Sequence, residues 1–174
     1  AEYTSLAVTA AGLPLVAFRD GNSVAYATVM KFDGTTWNII GAAGFSAGQA
    51  DYVSLALNAS DVPYLVYKDG GNGNKSTVMK FDGANWINVG AAGFSAGAAY
   101  YTSLDMDASG NPYIACQDNG SGAKATVIKY DGTAWTTLGT AGFSLGEMSY
   151  SSMAMNKSGV PYVVYRDSAN AGKA

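Results

Sequence analysis

The residues able to do chemistry in this chain are mainly its 13 acidic side chains, for it has no histidine and a single cysteine, Cys116. Without imidazole there is no Ser-His-Asp or Cys-His nucleophile, no His-ligated zinc and no imidazole pH switch. One thiol makes neither an intrachain disulfide nor a thiolate metal cluster. Seven of the 13 acids fall in two columns repeating every 49 residues: Asp20, Asp69, Asp118 and Asp167, then Asp33, Asp82 and Asp131. A ring of carboxylates with tyrosine and asparagine nearby can hold sugar hydroxyls or a cation. The same aspartates at strand ends can instead cap turns by accepting backbone N–H bonds. In the Asp33 column each acid precedes glycine, which is hairpin chemistry. The other acids, Glu2, Asp51, Asp61, Asp105, Asp107 and Glu147, show no recognisable acid–base constellation. Asp105 and Asp107 stand two apart before a glycine turn, a spacing that suits calcium, yet the other repeats hold Ala at the first position and Thr or Asn at the second. A group present in every repeat also suits a unique active centre badly, because catalysis breaks symmetry. The expectation is a chain that is not an enzyme, with no cofactor and no metal.

These residues are positioned by a repeat. Trp37, Trp86 and Trp135 are 49 apart, and Pro14, Pro63, Pro112 and Pro161 keep the interval, as do Tyr3, Tyr52, Tyr101 and Tyr150. KFDG at 31–34 and 80–83 aligns with KYDG at 129–132, and GFSAG at 44–48 and 93–97 aligns with GFSLG at 142–146. The chain reads as one repeat domain, 1–174, with units 1–49, 50–98, 99–147 and a partial 148–174. Each full unit predicts four short strands, in the second unit over 53–57, 63–68, 77–81 and 86–89. No apolar spacing of three and four residues continues long enough for a helix. Four antiparallel strands in a unit of about 40–50 residues is the period of a β-propeller blade. One such sheet is apolar on both faces and cannot cover itself, so neighbours must stack radially. The expected fold class is all-β, with about 3.5 blades forming an incomplete ring.

The pattern SLA, PY.VY.D, V.K(F/Y)DG..W and GFS.G resembles bacterial extracellular β-propeller repeats of the kelch and lectin-propeller kind, over the whole chain. The resemblance implies bladed architecture and an extracellular binding role. The double glycine of kelch and the Gly-His and Trp-Asp marks of WD40 are missing. KFDGTTW at 31–37 is similar to the Asp-box turn of sialidase-type blades, with Lys31 in place of serine and one residue fewer between Asp33 and Gly34. That family implies three substrate arginines, whereas this chain has Arg19 and Arg166.

In a propeller the connection from strand two to three and the segment from strand four to the next blade share one face. That places Asp20, Asp69, Asp118 and Asp167 beside Phe45, Phe94 and Phe143, with Tyr52, Tyr101 and Tyr150 close to the axis, as candidate ligand-binding residues. The tryptophans either stack on a sugar or fill the seams between blades, and the Lys31, Lys80 and Lys129 column pairs with acids or lies along the sheet. Charged residues are 13% of the chain, net charge is −3 and the basic residues are scattered, which argues against nucleic acid. No apolar run approaches a membrane span. The resulting expectation is a non-catalytic binding or scaffold module, extracellular or in the cell envelope, taking a glycan or protein ligand at repeated inter-blade pockets. Two other readings stay open: part of a larger propeller enzyme with catalytic residues elsewhere, and a purely structural array. Further copies, or the rest of a longer chain, are expected to close the ring.

Overall fold

A computed structural model describes the backbone of residues 1–174 and every side chain but that of Ser23. It is all-β, and the sheets follow the repeat. Blade 1 holds β1 (Glu2–Val8), β2 (Pro14–Asp20), β3 (Tyr26–Phe32) and β4 (Trp37–Ile39). Blade 2 holds β5 (Ala50–Leu57), β6 (Pro63–Asp69), β7 (Lys75–Phe81) and β8 (Trp86–Asn88). Blade 3 holds β9 (Ala99–Met106), β10 (Pro112–Asp118), β11 (Lys124–Tyr130) and β12 (Trp135–Thr137). The last sheet is β13 (Met148–Met155) paired with β14 (Pro161–Asp167). Neighbouring strands pair antiparallel in chain order, so each blade is a simple meander.

The prolines open β2, β6, β10 and β14, at the first strand position, where a missing N–H costs least. The innermost strands start earlier than the alternation suggests: β5 begins at Ala50, with Ala50 opposite Asp69 and Asp51 opposite Lys68, before the register slips and resumes at Ser54 opposite Val66. The slip is a bulge carrying Tyr52 at φ 51°. Such a bulge interrupts the period-two pattern from which strands are read. The Gly/Asn-rich segment after the second strand also contains a short 3-10 turn, Gly70–Asn72 in blade 2.

Burial sits between blades. In the first seam Leu15, Ala17 and Val29 of blade 1 pack with Leu55, Leu65, Tyr67 and Trp86 of blade 2. In the second, Tyr64, Val66 and Val78 meet Leu104, Ile114 and Cys116. The inner strands β1, β5, β9 and β13 lie side by side around the axis. Serines stitch them: Ser5 Oγ accepts from Leu55 N at 2.9 Å, Ser54 Oγ from Leu104 N at 3.1 Å and Ser103 Oγ from Met153 N at 2.9 Å. The serine of the repeated Ser-Leu step is thereby explained. The ring is open. Leu6, Val8 and Trp37 on one outer face, and Tyr162 and Val164 on the other, are exposed, whereas their counterparts in the interior seams are mostly buried. Among the described residues no helix is long and apolar enough to cross a membrane.

Candidate functional site

The connections after the second and fourth strands of each blade make what is here termed the upper face, and the two hairpin connections make the lower face. On the upper face the Asp column meets backbone. Asp69 is fully buried: one oxygen accepts from Gly71 N at 3.0 Å, the other from Asn72 Nδ2 and Thr77 Oγ1, both at 2.8 Å. Asp118 Oδ1 accepts from Gly120 N at 2.9 Å and from Gly97 N of the preceding blade's exit segment at 2.8 Å. Asp167 accepts likewise from Ala169 N and Gly146 N, both at 2.9 Å, and Asp20 accepts from Asn22 N. The glycines are needed because the two backbones touch. A Cβ on Gly97 would lie 2.2 Å from Gly120 N, inside any real contact. Each carboxylate thus caps the 3-10 turn that follows it, and in the last two blades it also holds the adjoining blade.

Phe45 and Phe94 are half-buried, stacked on Trp86 and Trp135 of the next blade with ring centroids 4.4 and 4.0 Å apart. Phe143 is exposed and touches Tyr165 edge-on at 6.0 Å. The tyrosines form a row by the axis: Tyr3–Tyr52, Tyr52–Tyr101 and Tyr101–Tyr150 centroids are 4.8, 5.0 and 5.1 Å apart. All four have φ between 49° and 52°, a left-handed conformation that costs a non-glycine residue on the order of 1 kcal/mol. Hydroxyls of the next blade brace the bulge, Thr102 Oγ1 donating to the Tyr52 carbonyl and Ser151 Oγ to that of Tyr101. With Thr4, Thr102 and Ser151 the row lines an open hollow of about 330 Å³. Burial, then the neighbouring Tyr3 and Tyr101, push the Tyr52 phenol up to about 12, so it stays neutral and both donates and accepts.

A larger space opens on the lower face, where no candidate had been placed. A groove of about 550 Å³ lies between blades 1 and 2, lined by Leu15, Lys31 and Ile40 of blade 1 and by Asn58, Asp61 and Phe81 of blade 2, among others. Asp61 sits at φ 58° and its Oδ1 accepts from Ala10 N of blade 1 at 3.0 Å, closing one end of the seam. Asn58 Oδ1 accepts from Ser60 N and Val62 N, shaping the β5–β6 turn. Lys31, half-buried, forms no ion pair among the described residues. In blade 3 the equivalent Lys129 lies 5.0 Å over the Tyr113 ring and 3.9 Å from Asp107. Nothing in a single repeat marks the groove. Its signal is a break in a column, Leu15 where the other units carry Tyr64, Tyr113 and Tyr162. Asp105 and Asp107 are engaged with backbone amides, Asp105 accepting from Met155 N at 2.7 Å and Asp107 from Ser109 N and Asn111 N.

No protein-family model matches the chain, and no curated protein matches it in sequence. Solved structures do. A fucose lectin from Kordia zhangzhouensis, in complex with methyl-fucoside, superposes with a TM-score of 0.55 at 13% identity, over 79% of this chain and 99% of that one. The Aleuria aurantia lectin matches at a TM-score of 0.60 and 18% identity, over 96% and 57%. Trypanosoma rangeli sialidase matches at 0.63 and 13%, over 91% of this chain and 28% of its own. The fold is that of the β-propellers. This chain therefore spans nearly all of the Kordia lectin but just over half of the Aleuria lectin and about a quarter of the sialidase.

Proposed function

We propose that the chain is a non-catalytic carbohydrate-binding propeller module whose ligand seats between blades, in the groove of the first seam. The make-up of that groove carries the reading. Leu15, Ile40 and Phe81 offer an apolar and aromatic wall, Lys31 a donor, and Asp61 an acceptor whose second oxygen is left for a hydroxyl. A sugar presents an apolar ring face and an edge of hydroxyls, so it needs such a wall beside groups of both hydrogen-bonding kinds. The acids lining the groove, Asp61 and Asp82, are held by backbone amides, Asp82 Oδ1 accepting from Ala84 N and Asn85 N. That supports binding over acid–base work. The fucose lectins among the similar structures lend support through shared architecture.

Within this reading the aspartates of the Asp20 column serve the turns and Phe45 and Phe94 serve the seams, while Tyr52, Tyr101 and Tyr150 keep a second, shallower surface open to a ligand. An extracellular or envelope setting goes with it, and further blades of the same kind would cover the two exposed outer faces. The test is a printed array of neutral, deoxy and uronate saccharides probed with the wild-type chain and with Lys31→Ala. Saturable binding, weakened by about tenfold or more in the variant, is expected. An array blank for the wild type, or binding indifferent to Lys31→Ala, would overturn it.

A further inference from the structure

The groove of about 550 Å³ lies at the first seam, and a smaller hollow of about 300 Å³, lined by Leu57, Asp105, Asp107 and Met155 among others, lies on the lower face of the next two; beside the second strand the first seam differs by one side chain. Leu15 pairs across β2–β3 with Lys31, as Tyr64 pairs with Lys80 and Tyr113 with Lys129. Each side chain of this column packs into the seam ahead of its own blade: Leu15 into the first, Tyr64 into the second, Tyr113 into the third. Tyr64 and Tyr113 are 8% and 5% exposed, so their rings fill the seams they enter. In blade 3 the lysine lies on the tyrosine ring and pairs with Asp107. Leu15 is as deeply buried, at 1% exposure, but has no phenol to extend toward the mouth; among the described residues Lys31, like Lys80 opposite Tyr64, lies over no aromatic ring and forms no ion pair. At the register of Asp107, blade 1 holds Thr9, whose hydroxyl accepts from Leu13 N at 2.9 Å.

We infer that Leu15 is the aperture of the site: the first seam alone among those described admits a saccharide residue beside its second strand, one per chain, with Lys31 and Lys80 in the lining as donors. This rests on the carbohydrate reading above and adds to it which side chain opens the groove and how many ligands one chain takes. At the next two seams the Tyr64 and Tyr113 rings fill the place that Leu15 leaves, and the hollow of about 300 Å³ there lies nearer the axis, along the ends of β5, β9 and β13. Tyrosine at position 15 is a residue the repeat already accommodates at the same register in its other units, so the filled variant is compatible with the blade.

The experiment is isothermal titration of the whole chain with the saccharides that score on the printed array, for wild type, Leu15→Met, Leu15→Phe and Leu15→Tyr. One equivalent per chain is expected for wild type and for Leu15→Met, which keeps the volume. A loss of at least about tenfold is expected for Leu15→Phe and Leu15→Tyr, with thermal unfolding unchanged or raised. Two or more equivalents per wild-type chain, or Leu15→Tyr and Leu15→Phe binding like wild type, would overturn the inference while leaving the carbohydrate reading standing. A wild type that binds none of the saccharides removes both. Stoichiometry is read on the wild type, so a variant that fails to fold does not protect the claim.

Discussion

The Phe45 ring lies on the indole of Trp86, their centroids 4.4 Å apart and their planes within 5°. One residue ends blade 1 and the other belongs to the outermost strand of blade 2, and the indole N–H also donates to the Ile40 carbonyl at 2.9 Å. The stack is thus a joint between blades. Trp86 is 8% exposed, whereas Trp37, on the outer face of blade 1, is 44% exposed. Trp86→Ala should cost on the order of 3–5 kcal/mol and Trp37→Ala about 1 kcal/mol or less, read from urea unfolding midpoints. Equal losses would mean that the stack does not hold the seam.

Asp118 is expected to matter for stability. It is buried, and its oxygens accept from Gly120 N, Gly97 N and Ala96 N. Asp118→Ala strands these donors and should destabilise by roughly 2–4 kcal/mol, with Asp118→Asn milder because it keeps one acceptor oxygen. A melting curve unchanged by Asp118→Ala would refute the clasp.

Acid should loosen the lower-face hairpins. Asp131 is held down at about 2 by the Ala134 N–H, the Thr133 hydroxyl and the Thr133 N–H, and Asp33 is lowered by the same kind of contacts with Thr36 and Thr35. An acid whose folded pKa is depressed adds stability above its unfolded pKa and loses it as pH falls through the folded value. Unfolding midpoints should therefore stay level from neutrality to about pH 5 and fall between about pH 4 and 2. Asp131→Asn should make that fall shallower; a fall as steep as in wild type would exclude Asp131 as a contributor.

Cys116 should be silent in the folded chain. It is fully buried in the second seam, and burial, with Asp118 nearby, pushes its thiol up to about 12. A thiol-specific disulfide reagent at about pH 8 should leave the native protein unmodified and label one thiol after denaturation. Rapid labelling of the native chain would show that the second seam opens.

The 49-residue period, the four strands of each full blade, the proline openings and the Asp-Gly hairpins are local properties, written in neighbouring residues and legible without a structure. The axial bulge was not, because the left-handed φ at Tyr3, Tyr52, Tyr101 and Tyr150 falls on tyrosine, a residue that does not advertise it as glycine would. Asp118 and Asp167 could be picked out as a repeated acid, but only the folded chain shows the turn and the exit segment converging on their oxygens. The groove depends still more on tertiary structure. Its walls, Leu15 and Lys31 on one side and Asn58 and Asp61 on the other, come from different units and meet only when two sheets stack. The alignment of units shows that Leu15 departs from tyrosine; the stacking turns that departure into a cavity, since empty volume belongs to the pair of surfaces and to neither strand alone.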